Sequence, residues 1–379
     1  MRGGKDSQLD IFCTINLNSL IPASHPLRAI KKLADSELAR LSPRFDAAYS
    51  KVGRPSIPPE ALIKALLLQA LYSIPSETRL CEELGFNFLF RWFCDLKPNA
   101  SVWDQTTFTQ NRDRFAEHGF VQAFFDGVVA KGISAQAASS EHFSVDGTLI
   151  QSLASLKSLA RKDEDPKDPP SGDSNGWADF AGEKRSNETH VSRTDPDAKL
   201  ARKSKGQAAL LSHSMHVMME NRNALLMDIE VSEASGTAER EASASMLKRF
   251  KRRHWFLPDT VGEDKGYDAG EHLLELEELG VTPHVAIRDG KIVSHTPQAD
   301  ARRRARSRQR SLGYKLSIVA RRGIEKTFAW LKERAELKRS RFFERWKTKL
   351  YALVAGAAYN LIRLSKLLKQ EPQAAPKTA

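Results

Sequence analysis

The strongest constraint on the fold is the order of strand-like and helix-like segments after residue 141. The run HFSVDGTLIQS, residues 142–152, is rich in β-branched and aromatic residues, which predicts a strand. Residues 212–232, SHSMHVMMENRNALLMDIEVS, predict a hairpin of two strands around the turn Glu220–Asn223. The following segments predict a helix in AEREASASMLKRFKRR, a strand in TVGED, a helix in EHLLELEELG that ends at Gly280, and a strand in VTPHVAI.

The predicted element order is that of a ribonuclease H-like fold. It has three strands, then a helix, a strand, a helix, a strand, an insertion and a helix. In such a mixed sheet the first three strands are antiparallel and the later strands are parallel through helical crossovers. The sequence predicts the late helix over Ala320–Glu336 and a last apolar helix over Trp346–Leu368. We therefore predict an α/β, ribonuclease H-like domain over residues 136–369, with a polar insertion at about 155–208, a basic insertion at about 289–318 and a disordered tail at 370–379.

Residues 1–135 predict an all-helical domain. Pro58 and Pro59 stand where proline is tolerated, at the start of a helix that runs through ALIKALLLQALY and stops at Pro75. A second helix begins at Ser76, and further helices are predicted in DQTTFTQNRDRF and over Val121–Lys131. Short helices joined by tight turns fit a helix-turn-helix-like module. They fit a bundle that only packs equally well, so both interpretations stay open.

Positive charge is concentrated in the last quarter of the chain. The whole sequence carries a formal net charge of +12. Residues 289–379 contain 23 Lys and Arg against 7 Asp and Glu, a net of +16, so the first 288 residues carry a net of −4. Segregation of this kind indicates a basic surface for a polyanion, either nucleic acid or an anionic membrane.

Cysteine usage and hydropathy favour nucleic acid over a membrane as the partner. Cys13, Cys81 and Cys94 show no CxxC spacing, which argues against a zinc or redox site and indicates reduced thiols. The longest apolar run, residues 350–364, is interrupted by Asn360 and is too short to span a bilayer. The N-terminal MRGGKDSQLD contains no apolar signal-peptide run. We predict a cytoplasmic protein without a membrane partner.

Three carboxylates fall where the predicted elements converge. Asp146 lies in the first strand, Asp264 at the end of the fourth strand and Glu325 on the late helix. Like charges that converge are unfavourable by themselves, and divalent cations relieve this repulsion. Ligands that are all oxygen suit Mg²⁺, for which Mn²⁺ can substitute. Two such ions about 4 Å apart stabilise the attacking and leaving oxygens of an in-line displacement at phosphorus, so the sequence predicts a two-metal phosphodiester site.

The helix that carries Glu325 adds local evidence for such a site. Arg321, Glu325 and Lys332 fall within about 40° of one another around a helix, because each residue advances about 100°. One edge of the helix can therefore present a metal ligand between two cations, and a cation beside the metal can hold a DNA phosphate. Ion pairs four residues apart that only stabilise the helix are the alternative interpretation.

An ordered set of motifs resembles the bacterial insertion-sequence transposases of the InsH-like group, in the DDE transposase superfamily. GRPSIPPEALIKALLLQAL is similar to the start of that group's N-terminal domain, SVDGTLIQSLAS to its first-aspartate motif and EDKGYDAGEH to its second. TDPDAKLARKSKGQ and HVMMENRNALLMDIEVSEASGTAEREA are similar to its central block, RRGIEKTFAWLKE to its glutamate motif and AAYNLIRL to its closing helix. The resemblance extends from about residue 8 to residue 369.

The resemblance implies a role for individual residues. The acidic triad falls on Asp146, Asp264 and Glu325, and the arginine and lysine of the glutamate motif fall on Arg321 and Lys332. Related transposases often have a tyrosine three residues before that arginine, where this chain has Ile318. The nearby Tyr314 is out of register with that position. This departure puts in doubt any DNA contact that the family's tyrosine makes.

Other candidate residues are weighed by their surroundings. His213 and His216 would face opposite sides of a strand, which favours structural histidines over a metal pair. Asp259 and Glu263 flank Asp264, and the DKGY context favours Asp264 as the ligand. Beside a DNA-cutting site, basic side chains are expected to contact phosphate. The additional candidates for DNA binding are Lys265, Arg302, Arg303 and Arg304.

Together these observations predict the transposase of a bacterial insertion sequence, a mobile element. The helical domain would bind the terminal inverted repeats of double-stranded DNA, and the ribonuclease H-like domain would act as an endonuclease and then join the freed 3′-hydroxyl to target DNA. The resemblance implies two Mg²⁺ ions per site, a homodimer on DNA and a nucleoid-associated protein. Two alternatives remain: a domesticated or inactive transposase that regulates by binding DNA, and a metal-dependent nuclease without strand transfer.

Overall fold

The computed structural model describes residues 16–50, 52–53, 55–163, 179–180, 183–202 and 206–368. Cys13, the predicted tail at residues 370–379 and the centre of the predicted polar insertion lie outside these ranges. Everything stated below about the structure refers to the described residues.

Helices dominate the first 135 residues, as the sequence predicts. Pro59 occupies the first position of its helix, and the Ser76 hydroxyl accepts a hydrogen bond from the Arg79 backbone N–H (3.1 Å), which caps the next helix. In the described part of this region the helices are α1 (Leu17–Leu20), α2 (Pro26–Ala48), α3 (Pro59–Leu71), α4 (Glu77–Phe86), α5 (Phe88–Phe93), α6 (Thr106–Glu117) and α7 (Phe120–Ser134).

The central sheet has the strand order β8-β7-β1-β9-β10. β1, β7 and β8 are antiparallel neighbours, whereas β9 and β10 are parallel to β1. This confirms the predicted mixed topology of a ribonuclease H-like fold. The bounds of these strands are β1 (His142–Gln151), β7 (Leu210–Glu220), β8 (Leu225–Glu233), β9 (Thr260–Glu263) and β10 (Thr282–Val285).

The polar insertion contains short strands. β2 (Leu159–Arg161) pairs with β5 (His190–Ser192), β3 (Asp179–Phe180) pairs with β4 (Glu183–Lys184), and β6 (Lys199–Ala201) extends the central sheet beside β7. A fully buried network anchors the insertion to the sheet. In it the Asp195 carboxylate accepts a hydrogen bond from the Ser152 hydroxyl (2.6 Å) and lies 3.1 Å from His213 Nε2.

Helices after β8 connect and cover the parallel strands: α8 (Ala238–His254), α9 (Gly270–Glu278), α10 (Pro297–Arg308), α11 (Leu312–Arg321), α12 (Gly323–Ala329) and α13 (Arg345–Leu367). The predicted basic insertion therefore contains a regular helix, which begins where Thr296 caps its N-terminus and Pro297 occupies its first turn.

The late helix is longer than predicted and is interrupted. Instead of one helix over Ala320–Glu336, α11 ends before Arg322, α12 begins at Gly323, and a π-helical turn over Trp330–Arg334 follows. Glycine has a low helix propensity, which agrees with a break at this position. The prediction captured the presence of the helix but missed the break, because one glycine does not by itself end a helical pattern.

One hydrophobic core extends from the N-terminal helices to the sheet. α13 is the shared element, because it packs against α2, α3 and α7 as well as against β8. Inside this contact, Asn360 of α13 accepts a hydrogen bond from the Leu226 backbone N–H (2.8 Å) and donates one to the Leu226 carbonyl (2.7 Å). The core is therefore continuous across residue 135, where the sequence suggests a domain boundary.

Candidate active site

Asp146 lies in the middle of β1 and is held by two hydrogen bonds. Its Oδ1 accepts a hydrogen bond from the Gly147 backbone N–H (2.9 Å), and its Oδ2 accepts one from Arg321 Nη1 (2.9 Å) at the end of α11. The side chain is largely buried, so the carboxylate has a fixed direction and one cationic partner.

Asp264 lies beside Asp146 because of the strand register. Ser144 of β1 is the partner of Gly262 in β9, and the two strands are parallel, so the residues two positions further along each strand lie at the same level. Asp264 also caps the turn after β9, where its Oδ1 accepts a hydrogen bond from the Gly266 backbone N–H (2.6 Å). The register therefore brings together two of the predicted carboxylates.

A cleft of about 870 Å³ opens above these two aspartates. Its floor includes Asp146, Gly147 and Asp264, and the insertion contributes Lys199 and Arg202 to its wall. Carboxylates therefore lie at the base of a wide groove that also carries positively charged side chains, as a site for a polyanionic backbone requires.

The cleft is also lined by three carboxylates that the sequence interpretation did not single out. Two of them are Glu188 and Glu233, and the third is Glu239, in the first turn of α8, which lines the same groove as Asp146 and Asp264. The only sequence signal for Glu239 was its place in the motif EASGTAEREA, which supported the resemblance without assigning this residue a role.

The electrostatic environment reflects the convergence of these acids. Burial raises the pKa of Asp146; the Arg321 guanidinium opposes this effect, and the Asp264 carboxylate adds to it. Burial also raises the pKa of Glu239, and the carboxylates of Asp264 and Asp146 raise it further. Bringing three carboxylates to one groove thus costs free energy that a proton or a cation would offset.

Glu325 lies next to the groove but does not line it. The two cations predicted to flank it both contact β1: Arg321 binds Asp146, and Lys332 Nζ donates a hydrogen bond to Thr148 Oγ1. Glu325 lies between them in α12 and is exposed to solvent. Within the described residues, no three His, Cys, Asp or Glu side chains converge closely enough to hold a metal ion.

The predicted DNA-binding arginines of α10 make intramolecular ion pairs. Arg302 donates two hydrogen bonds of 2.8 Å to Asp268, whose side chain is fully buried. Arg304 pairs with Glu277, and Arg303 pairs with Asp300. These ion pairs do not bring the three arginines to the groove. Lys265, by contrast, is exposed directly after Asp264, at the end of β9.

Three other candidates from the sequence lie outside the groove. Glu263 is fully buried, accepts a hydrogen bond from Ser243 (2.5 Å) and lies 2.8 Å from His272 Nε2, so it turns away from the groove. Asp259 is exposed. Tyr314 packs its ring against His284, at a centroid distance of 5.9 Å. None of these side chains lines the cleft above Asp146.

Two family models match the chain. Residues 15–114 match a transposase domain, DUF772, and residues 187–361 match the transposase DDE domain. The chain belongs to the DDE transposases. The matches do not specify the InsH-like group, which stays a prediction. No match was found among curated proteins.

Two solved structures of a transposase give weak similarities. The pre-cleavage Mos1 transpososome is 10% identical over 86% of each chain, with a TM-score of 0.20. The Mos1 transposase paired-end complex with left transposon end is 11% identical over 81% of this chain and 88% of that chain, with a TM-score of 0.21. Scores this low do not inform the placement of residues in this DDE transposase.

Among the described residues, none of the helices combines the length and the hydrophobicity that a membrane-spanning segment needs.

Proposed function

We propose that this DDE transposase cuts DNA at the ends of an insertion sequence and joins those ends to target DNA. The observation that carries the proposal is that Asp146 and Asp264, each two positions beyond the paired residues Ser144 and Gly262, line one groove of about 870 Å³ together with Lys199 and Arg202. In the first step, water attacks the phosphorus and the bond to the 3′ oxygen breaks, which frees a 3′-hydroxyl. In the second step, that hydroxyl attacks a phosphodiester of the target and displaces another 3′ oxygen.

The residues fit divalent metal ions. The donors in the groove are carboxylate oxygens, which suit Mg²⁺ or Mn²⁺. Burial, and to a lesser extent the neighbouring carboxylates, raise the pKa of Asp146 and of Glu239, so ionising them carries a cost that a cation would offset. We propose Asp146, Asp264 and Glu325 as the holders of two ions. When bound, such ions stabilise the charge on the attacking and leaving oxygens.

The protein's own side chains orient the reactants. Arg321 favours the ionised form of the Asp146 carboxylate and fixes its direction, because the guanidinium lies 2.9 Å from Oδ2. Lys199 and Arg202 face the groove from the insertion and can hold the phosphates of the DNA strand. Lys332, which is bound to Thr148 in β1, lies on the side of Glu325 and is proposed to contact a phosphate there. Arg302, Arg303, Arg304 and Lys265 remain proposed contacts for DNA beyond the groove.

The proposal extends to the assembly and to its location. Two element ends must be held together before they are joined to target DNA, so we propose a homodimer on double-stranded DNA, with the N-terminal helices binding the terminal repeats. A protein that acts on chromosomal DNA in bacteria is expected in the cytoplasm, at the nucleoid.

The test is an assay of cleavage and joining with labelled duplexes cut from the DNA that flanks the gene. We expect nicked ends and joined products in Mg²⁺, and a loss of at least about 100-fold in both for the Asp146→Asn, Asp264→Asn and Glu325→Gln proteins. Asp259→Asn is the matched control, because Asp259 is exposed outside the groove.

The products separate the alternatives. Normal rates in the three acidic variants contradict the proposed chemistry. Cleavage that never yields joined DNA supports a nuclease instead, and specific binding without either reaction supports a DNA-binding regulator.

A further inference from the structure

Glu239 reaches from α8 to the two strands that carry the aspartates. A Cβ atom built on Gly147, next to Asp146, would lie 2.9 Å from Glu239 Oε1. A Cβ atom built on Gly266, two residues after Asp264, would lie 3.4 Å from Glu239 Oε2 and 2.9 Å from Asp264 Oδ1. The Glu239 carboxylate therefore lies between Gly147 and Gly266, near the Asp264 carboxylate, in space that these two glycines leave open.

No salt bridge in the described part of the chain neutralises this carboxylate, and the nearby Arg240 guanidinium lowers its pKa by less than burial or either aspartate raises it. Glu239 is half-buried and makes no salt bridge there, although Asp146 has Arg321 as a partner. Acidic residues in the first turn of a helix are stabilised by the helix dipole, and Glu241 in the same turn of α8 shares that stabilisation while facing away from the groove. The dipole alone does not explain why Glu239 points towards two other acids.

A buried histidine nitrogen faces the same place. His216 is fully buried, and its Nδ1 has no hydrogen-bond partner in the structure. Its Nε2 lies 2.8 Å from the Ser232 hydroxyl, which itself donates a hydrogen bond to the Glu233 carbonyl (3.1 Å). The Ser232 oxygen must then accept from Nε2–H, which leaves Nδ1 with a lone pair.

This lone pair and the Glu239 carboxylate both lie against Gly147. A Cβ atom on Gly147 would be 3.1 Å from His216 Nδ1 and 2.9 Å from Glu239 Oε1. Two acceptors cannot bond each other, so a water molecule or a cation beside both of them would be favourable. An unpartnered buried acceptor is costly, and a ligand in the groove would relieve that cost.

We infer that Glu239 is a metal-facing carboxylate of this groove, which holds a divalent cation through water together with Asp146 and Asp264, because the described side chains do not converge closely enough for all three to ligate one ion directly. The inference rests on the proposed function and deepens it, because it adds a side chain to the site and identifies the element that supplies it. Glu325 keeps its proposed role. Gly147 and Gly266 are the positions that make room for Glu239.

The test measures Mn²⁺ binding to the purified protein by calorimetry and by electron paramagnetic resonance, in the absence of DNA. Glu239→Gln keeps the size of the side chain and removes its charge. We expect it to weaken Mn²⁺ binding about 10-fold to 100-fold. The matched control is Glu241→Gln, which removes a charge from the same helix turn outside the groove and should bind Mn²⁺ as the unaltered protein does.

A second variant tests the geometry. Gly147→Ala should displace the Glu239 carboxylate and weaken Mn²⁺ binding, whereas adding it to Glu239→Gln should cost much less than the two single effects together. Unaltered thermal unfolding of the metal-free variants, or a small rise in Tm for Glu239→Gln, would show that the fold is retained.

The outcomes separate this inference from the proposed function. Unchanged Mn²⁺ affinity in Glu239→Gln, together with loss of binding in Asp146→Asn and Asp264→Asn, overturns the role of Glu239 and leaves the proposed function standing. Weakened binding in Glu241→Gln to the same extent would also overturn it, because the loss of a negative charge from α8, and not the position of Glu239, would then be the cause. Full Mn²⁺ binding in Asp146→Asn contradicts the proposed function itself.

Discussion

Arg321 Nη1 donates a hydrogen bond of 2.9 Å to Asp146 Oδ2 and so ties the end of α11 to the middle of β1. The residues are 175 positions apart in the chain, and the contact gives a largely buried carboxylate a cationic partner. α12, which carries Glu325, follows directly after this contact. Arg321 is thus a positioning residue for Asp146 in the proposed site.

Replacing Arg321 should move the pH dependence of DNA cleavage. Burial already raises the pKa of Asp146, and Arg321 lowers it, so Arg321→Met should raise that pKa further. Because the ionised carboxylate is the proposed active form, the acid limb of the rate profile should move to higher pH, and the rate at neutral pH should fall. Rates measured from acid to neutral pH check this, with Arg322→Met as the exposed control. An equal fall at every pH would contradict it.

Lys332 should contribute one phosphate contact. We expect Lys332→Met to weaken binding of duplex ends and to reduce the slope of log affinity against log salt by about one. Thr148→Val is the control, because it removes the contact of Lys332 with β1 and keeps the charge. Fluorescence anisotropy over a range of salt concentrations measures both slopes. A slope that stays the same in Lys332→Met would rule out the phosphate contact.

Arg302 should matter for stability as well as for any DNA contact. Its two hydrogen bonds hold Asp268, whose side chain is fully buried and which also accepts a hydrogen bond from the Arg288 backbone N–H (2.8 Å). Arg302→Met therefore leaves a buried charge without this ion-pair partner. We expect the free energy of unfolding to fall by about 1–3 kcal/mol. Arg310→Met, at an exposed arginine near the end of the same helix, should change it little. Thermal unfolding in the absence of DNA decides between a structural and a purely DNA-binding role.

Asn360 should be essential to the core that joins the N-terminal helices to the sheet. Asn360→Leu removes the partners of both the N–H and the carbonyl of Leu226, which are buried. Two unsatisfied backbone groups should cost about 2–5 kcal/mol of unfolding free energy. Gln110→Leu, at an exposed position of α6, is the control for the change from amide to leucine. A melting temperature within a degree of the unaltered protein would disprove the role of Asn360.

Local patterns were sufficient to predict the elements of the sheet and most of the helices. The strand at HFSVDGTLIQS, the hairpin around Asn221 and the helix that begins at Ala238 all follow from side-chain periodicity and turn chemistry, and the structure confirms them. The break before Gly323 and the helix after Thr296 were missed, because single glycines and dense arginines are compatible with either state. The predicted antiparallel and parallel pairing was correct because the order of elements leaves few ways to connect them.

The arrangement of the site depended on tertiary structure more than the secondary-structure elements did. By itself the sequence predicted that Asp146 lies on a strand, that Asp264 lies at the end of another, and that Arg321 and Lys332 share a helix edge. Only the parallel register of β1 and β9 decided that the two aspartates adjoin, and only the packing of α8 brought Glu239 into the same groove. Local propensity fixes an element and the face on which a residue lies. Which distant residues meet depends on how those elements pack, and that is decided by the core as a whole.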